Sequence, residues 1–378
     1  MKKIVYISIT PLIPFVQRYL RIQEVIDAGF DVEYWDLSNI YFAGRAFPGS
    51  LAKKYVRRID SLFALKGRLK HEDLKKTIFV LQVNFEWRVL TLYLMMSYFD
   101  CKTVFFPWVT HVRKPLPARI MANLRVNKFF SAYLRTIAIF IKKIGFVKKY
   151  NLVFVAGRLG QEAYKDHDLV VDINYLDYDQ YLASIGRIER IVHGDYCVFL
   201  DEGCVDNPSV KFFKLKEMDP EKFYGALRRF FDHIERNLNL KVVIAAHPGI
   251  KYDKSIFGNR EVYEGNTCEL VKDASLVITQ SSTATSFAVF NEKPLLFVYT
   301  DEYAVIRDAN FQTLEFLAHE LGARSYNIDL DKEKELEPLE YPVVDHLLYD
   351  GYKYTNFTSE ETKDKRSEQI IVKSFMEL

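Results

Sequence analysis

The sequence of 378 residues has few cysteines and no long apolar run. Its four cysteines lack the spacing of a metal site or a disulfide framework, which predicts buried thiols in a reducing compartment. No apolar run reaches the roughly 18 residues of a membrane span, so a spanning helix is not expected. The apolar residues 3–9 are β-branched and precede Pro11 and Pro14. We therefore interpret them as a first strand rather than as a signal sequence.

Acidic residues are absent between Asp100 and Glu162, where the chain carries twelve Lys or Arg residues, although the whole chain has a net charge of only +2. Within the basic segment 111–150, residues 128–149 have the pattern of an amphipathic helix. That pattern fits an interfacial helix on an anionic membrane, or a core helix whose lysines extend to solvent. Nucleic acid is not an expected partner, because no recognised nucleic-acid motif accompanies the charge.

Short apolar segments that alternate with helical patterns predict an α/β fold with parallel sheets. The predicted strands are residues 3–9, 31–37, 77–84, 102–109, 151–157, 196–203, 240–248 and 260–265, with a further pair within 276–300. A second series of strands begins near residue 195. We expect two domains, residues 1–190 and 191–378, the second ending in a helix over about 358–378.

Polar motifs follow three predicted strands of the second half. They are Asp201-Glu202-Gly203, His247-Pro248 and Ser281-Ser282-Thr283. Because ligands of open α/β sheets bind beyond the carboxyl ends of the strands, parallel strands would bring the three motifs to one edge.

Adjacent carboxylates and a histidine at that edge suggest acid–base chemistry. Asp201, with Glu202 as the second candidate, could remove a proton from an attacking hydroxyl, and the alternative is an ordinary polar strand end. Pro248 restricts the backbone of His247 and so directs its ring. The ring could donate to a leaving phosphate, and the alternative is a histidine that merely completes the strand end.

The hydroxyl groups after the third strand suggest an anion site. We expect Ser281, Ser282 or Thr283 to cap a helix over 283–291 and, with the free N–H groups of its first turn, to bind phosphate. One serine as a cap, with the others incidental, is the alternative. Thr267 and Glu269 begin another predicted helix. They are candidate nucleoside contacts, or a simple helix start with Thr267 as the cap.

A metal ion is not expected, because no DxD motif stands where it would be needed. Developing charge on a departing phosphate would then be met by His247 and the hydroxyl turn. The three motifs together indicate nucleotide-sugar transfer without a cofactor.

At these motifs, LDEG (200–203), AAHP (245–248) and TQSST (279–283), the sequence resembles bacterial sialyltransferases and polysialyltransferases of the GT-B fold. The wider stretch 195–305 is similar to proteins of capsule and surface-polysaccharide synthesis, including teichoic-acid glycerophosphotransferases and Kdo transferases. The resemblance implies two Rossmann-type domains that face a central cleft, with the acceptor bound by the first domain and the nucleotide sugar by the second.

The resemblance also implies a CMP-activated acidic sugar (sialic acid, another nonulosonic acid or Kdo) and a glycan or lipid-linked glycan acceptor. Asp201 would be the base, while His247 and the serines would contact the CMP phosphate. We expect a cytoplasmic bacterial enzyme with peripheral contact to the membrane. Three alternatives stay open: a CDP-alcohol phosphotransferase, a nucleotide-sugar epimerase, and a non-catalytic glycan- or nucleotide-binding protein.

Overall fold

The structure, a computed structural model, describes residues 2–45, 47, 49–107, 129–187, 189–205, 216–248, 250–329 and 340–378. Residues 111–128 of the basic segment lie outside the described residues. Among the described residues the strands form two separate sheets, and every strand pair is parallel.

The first sheet has seven strands in the order β3-β2-β1-β4-β5-β6-β7. Its strands are β1 (Lys3–Ser8), β2 (Asp31–Asp36), β3 (Val56–Arg58), β4 (Thr77–Leu81), β5 (Lys102–Phe105), β6 (Leu152–Val155) and β7 (Val170–Asp172). Consecutive residues of β1, such as Ile4 and Val5, belong to different apolar clusters on opposite faces of the sheet. Burial on both faces explains why these strands are apolar without alternation.

The helices that accompany this sheet are α1 (Pro14–Tyr19), α2 (Ile22–Asp27), α3 (Ser38–Tyr41), α4 (Leu62–His71), α5 (Leu90–Tyr98), α6 (Phe129–Lys143) and α7 (Gly157–Tyr164). A 3₁₀ turn, Trp87–Val89, precedes α5. Helices α1 and α2 are separate, because Arg21 between them takes a left-handed backbone conformation with φ of 52°.

The second sheet has six strands in the order β10-β9-β8-β11-β12-β13. Its strands are β8 (Tyr196–Leu200), β9 (Lys241–Ala245), β10 (Val262–Tyr263), β11 (Leu276–Thr279), β12 (Leu295–Tyr299) and β13 (Arg324–Asn327). Counted along the chain this is the 3-2-1-4-5-6 order of a Rossmann sheet, and the order reverses between β8 and β11.

The remaining helices are α8 (Leu176–Ile185), α9 (Pro220–Leu238), α10 (Thr267–Asp273), α11 (Thr285–Phe290), α12 (Asp301–Ile306), α13 (Asp308–Glu320), α14 (His346–Asn356) and α15 (Ser367–Glu377), with a 3₁₀ turn at Lys254–Phe257. None of the helices in the described part of the chain combines the length and the hydropathy of a membrane span. All four cysteines are buried free thiols.

The chain is divided into two compact units at places that differ from the sequence prediction. The first contains the described residues up to 107, residues 129–176 and the C-terminal residues 356–378, and the second contains residues 177–355 where described. The terminal helix α15 therefore belongs to the first unit rather than to the second. Its Ile371 and Phe375 are buried in the core on one face of the first sheet. Lys2 Nζ donates to the Phe375 carbonyl at 3.3 Å.

Asn174 holds the C-terminal segment to the first unit. Its Nδ2 donates to the carbonyls of Thr362 (3.0 Å) and Lys365 (2.7 Å), and its Oδ1 accepts from Thr358 Oγ1 at 2.7 Å. The residue is 2% exposed, and its hydrogen bonds to Thr358 and Thr362 are buried, so removal of the amide would leave the Thr362 carbonyl and the Thr358 hydroxyl without this buried partner.

We predict that Asn174→Ala destabilises the C-terminal segment by about 2–4 kcal/mol, because three hydrogen bonds of a buried amide are lost. Hydrogen exchange of the α15 amides should become faster. Asn237→Ala, at an exposed position of α9, is the matched control. Unchanged exchange in α15 would contradict this role of Asn174.

Candidate functional site

The three polar motifs lie at the carboxyl ends of neighbouring strands in the second unit. Asp201 follows β8, His247 follows β9 and Ser281 follows β11, and β8 pairs with both other strands. The point where the strand order reverses, between β8 and β11, is the position where open α/β sheets bind ligands. The predicted grouping at one edge is therefore present.

Asp201 is joined to the His247 segment. Its Oδ2 accepts the backbone N–H of His247 at 3.3 Å and the hydroxyl of Tyr252, while its Oδ1 accepts the N–H of Gly203 at 3.1 Å. The side chain is 6% exposed. Burial raises the pKa of Asp201, although the hydrogen bonds from Tyr252, Gly203 and His247 oppose the rise.

Gly203 allows the His247 ring to approach this strand end. Its φ is 63°, a left-handed conformation that favours glycine. A Cβ atom at this position would collide with Ile250 Cδ1 and lie 3.2 Å from His247 Cγ. Burial lowers the pKa of His247, and the nearby Asp201 carboxylate opposes that shift. Glycine is therefore favoured at position 203 both by the left-handed backbone and by the lack of space for a side chain.

The side chain of Glu202 points to the other side of β8, toward the turn after β11. Its Oε2 accepts both the backbone N–H (2.9 Å) and the hydroxyl (2.7 Å) of Ser281. Its Oε1 accepts the hydroxyl of Tyr303 at 2.8 Å. Burial raises the pKa of Glu202, and hydrogen bonds from Ser281 and Tyr303 work against that rise. Adjacent side chains of an extended segment point to opposite sides, which separates the two carboxylates.

The hydroxyl turn is arranged differently from the predicted helix cap. Helix α11 begins at Thr285, its N-cap is Ala284, and no side chain caps it. Ser282 instead accepts the Ala284 N–H on its Oγ at 3.3 Å and the Thr285 N–H on its carbonyl at 3.1 Å. The prediction that Ser281, Ser282 or Thr283 caps this helix was therefore wrong, because the chain enters the helix through a turn closed by Ser282.

The other hydroxyls of this region have separate partners. Thr285 is buried and pairs with Thr279 at 3.0 Å. Ser286 donates to Asp177 Oδ2 at 2.8 Å, and burial raises the pKa of Asp177 to about 6. Ser282 is partly exposed and Thr283 is exposed. The cluster of hydroxyls thus divides into members that tie the turn to its surroundings and two that face outward.

The remaining predicted residues lie near the same edge. Pro248 is exposed directly after His247. Thr267 is the first residue of α10, whose N-cap is Asn266 rather than Thr267, and no side chain caps this helix. Glu269 forms an ion pair with Arg187.

Two tyrosines that sequence reasoning missed complete the site. Tyr252 lies in the loop after β9, and Tyr303 lies in α12 after β12. The only sequence signal for Tyr303 was the acidic pair before it, because Asp301 and Glu302 also follow a strand of this edge. Tyr252 had no signal, since its hydroxyl reaches Asp201 only through the path of the loop. Within the described residues no group of three or more His, Cys, Asp or Glu side chains could hold a metal ion.

Comparisons with known proteins show the fold. No protein-family model and no curated protein matches the sequence. The wall teichoic acid polymerase TagF is similar in structure, with a TM-score of 0.53, 13% identity and coverage of 99% of this chain and 88% of that chain. The calicheamicin glycosyltransferase CalG4 has a TM-score of 0.52 and 11% identity over 100% of this chain and 98% of that chain. The predicted fold class, α/β with two Rossmann-like domains of the GT-B type, is confirmed.

We predict that Glu202→Gln stabilises the protein increasingly as the pH rises. The pKa of Glu202 is raised by burial in the folded state, so the folded protein holds the proton more tightly than the unfolded chain. The contribution of this carboxyl to stability is therefore present at low pH and is lost as the pH rises through the raised pKa. Glutamine does not titrate and still offers Ser281 an oxygen acceptor.

The difference in unfolding free energy, variant minus wild type, should grow steadily between pH 5 and pH 8. Denaturant titrations across that range measure it. Glu264→Gln, at an exposed position, should give a flat difference. A difference that stays constant or falls for Glu202→Gln would show that this carboxylate is not destabilised by burial.

Proposed function

We propose that the protein is a glycosyltransferase that moves an acidic sugar from a CMP-activated donor to a bacterial surface glycan. The observation that carries the proposal is the hydrogen bond between the Asp201 carboxylate and the His247 backbone, beside the strand-order reversal and the hydroxyl turn. The order of LDEG, AAHP and TQSST along the chain supports a sialic acid, another nonulosonic acid or Kdo as the sugar. The product would be a capsule or lipopolysaccharide glycan.

In the proposed reaction an acceptor hydroxyl attacks the anomeric carbon of the donor sugar. Asp201 accepts the hydroxyl proton as the new bond to the acceptor oxygen forms. The bond between the anomeric carbon and the phosphate oxygen breaks, and its electron pair leaves with CMP. Burial raises the pKa of Asp201, which makes its carboxylate a stronger base than a solvated one. Tyr252 limits that rise through its hydrogen bond.

His247 and the turn at Ser282 and Thr283 would bind the departing phosphate. Because burial lowers the pKa of His247, its ring enters the reaction neutral at pH 7 and can donate one N–H to the phosphate. Ser282, which is partly exposed, and Thr283, which is exposed, would supply further donors. Preorganised donors at a developing charge are the usual source of such stabilisation.

Glu202 and Ser281 have a positioning role in this proposal. The N–H and the hydroxyl of Ser281 both donate to Glu202, so Ser281 anchors the turn while its neighbours meet the phosphate. Glu202 then fixes the turn relative to β8 and Asp201. This assignment gives the second acid of the motif a function distinct from that of the base.

Thr267 and Glu269 are candidate nucleoside contacts, the first unit is assigned the glycan or lipid-linked acceptor, and no metal is required. The protein would act in the bacterial cytoplasm with peripheral contact to the inner face of the membrane. A CDP-alcohol phosphotransferase would use the same phosphate site, and it is distinguished by its donor.

Release of CMP from CMP-sialic acid and CMP-Kdo, with a chelator present, tests the mechanism. Asp201→Asn should lower turnover by about 10²–10⁴-fold through loss of the base. His247→Ala should lower it by about 10²–10³-fold through loss of phosphate stabilisation. Calorimetry should find CMP binding retained in Asp201→Asn.

The exposed control variants Asp364→Asn and His319→Ala should keep wild-type turnover. Unchanged turnover in both Asp201→Asn and His247→Ala would refute the mechanism. Turnover of CDP-glycerol in place of the CMP-sugars would assign polyol phosphate transfer, and epimerisation of UDP-GlcNAc would assign an epimerase.

A further inference from the structure

Helix α6 of the first unit, continued by the hydrogen bond from the Ile144 N–H to the Phe140 carbonyl, carries a row of large apolar side chains on its outer surface. Tyr133, Phe140 and Ile144 are 63%, 60% and 51% exposed, and Ile137 between them is partly exposed. Their spacing of three and four residues places them on one side of the helix. We call these four residues the α6 stripe. Phe146, two residues beyond it, is 66% exposed.

The opposite side of α6 is fixed to the core of the first unit. Ala138 is 1% exposed, and Ile141 packs against the apolar cluster on one face of the first sheet. The Lys142 ammonium lies 4.9 Å from the centre of the Phe85 ring and 5.8 Å from that of Tyr150. Because these contacts fix the rotation of the helix, the α6 stripe is held toward solvent. The sequence was compatible with a core helix or with an interfacial helix, and α6 has one face packed on the core and one face exposed to solvent.

Basic residues accompany the stripe. Lys143 is exposed on the same helix beside the stripe, and Lys148 and Lys149 are exposed shortly after it, whereas the exposed Arg135 lies on another side of the helix. The surrounding sequence has twelve Lys or Arg residues and no acid between Asp100 and Glu162. Asp100 forms an ion pair with Lys148, with an Nζ–Oδ1 distance of 2.5 Å. A protein surface that is both apolar and basic is complementary to a surface that has anionic groups outside and an apolar layer beneath them.

We propose that the α6 stripe docks on the surface of an anionic lipid bilayer. A helix that lies in the interface inserts its apolar side chains at the level of the headgroups and pairs its basic side chains with lipid phosphates. Nucleic acid would provide negative charge for the basic side chains, but it has no apolar layer into which Phe140 and Ile144 could insert. Exposed apolar patches that are bordered by polar residues usually mark interaction sites.

The docking does not depend on the sugar chemistry, but it deepens the proposed function. A lipid-linked acceptor is presented at the membrane surface, and a docked first unit would meet it there. Because the docking test needs neither nucleotide nor glycan, its failure leaves glycosyl transfer standing, and the failure of glycosyl transfer leaves the docking standing.

Sedimentation of the full chain with vesicles tests the proposal. The protein should pellet with vesicles of phosphatidylglycerol and phosphatidylcholine at low salt, and much less with phosphatidylcholine alone or at high salt. The double variant Phe140→Ser and Ile144→Ser should weaken partitioning at least about tenfold, because two apolar side chains no longer insert. Lys143→Gln should weaken it about fivefold. Phe63→Ser, at an 87% exposed position on α4, should pellet like the wild type.

Three results would overturn the proposal. They are no pelleting with anionic vesicles at low salt, equal pelleting of wild type and double variant, and a change from dimer to monomer in the double variant without loss of lipid binding. The last would identify the stripe as a contact between copies of the chain. Since the substituted side chains are exposed, circular dichroism should show an unchanged fold, which makes any loss of binding specific.

Discussion

The separation of two adjacent carboxylates at the end of β8 is the constraint on which the candidate site depends. Asp201 accepts from the His247 segment after β9, and Glu202 accepts from Ser281 after β11. Because β8 lies between those strands, the two acids connect three segments that are distant in sequence. Their burial disfavours charge on both, and the hydrogen bonds that they accept compensate in part. The motif therefore fixes the geometry of the edge.

The arrangement also explains why a glycine completes the motif. A bulky strand end would push the His247 ring away, whereas Gly203 lets the ring lie against the backbone. The turn after β11 is held from the other side by Tyr303, whose hydroxyl contacts Glu202 and also lies 3.2 Å from Ser281 Oγ. The turn that carries the candidate phosphate donors is thus held by hydrogen bonds from both sides.

Sequence reasoning recovered the features that depend on local pattern. The apolar strands and the grouping of the three motifs follow from periodicity and from the rule for parallel sheets. Features that depend on tertiary contact were missed or wrong. The return of α15 to the first unit rests on packing of Ile371 and Phe375 and on Asn174, none of which local pattern marks. Short or exposed strands such as β3, β7 and β13 carried too little apolar signal to be found.

The central claim is that the edge at Asp201, His247 and Ser282 is a site for a cytidine nucleotide sugar. Thermal unfolding with CMP, CDP, UDP and GDP tests it most directly, since a ligand of the folded state stabilises it by about 2.7 kcal/mol at a hundredfold excess over Kd. We expect CMP to stabilise the protein, and we expect a smaller shift with CMP in His247→Ala. Stabilisation by UDP but not by CMP would contradict this claim.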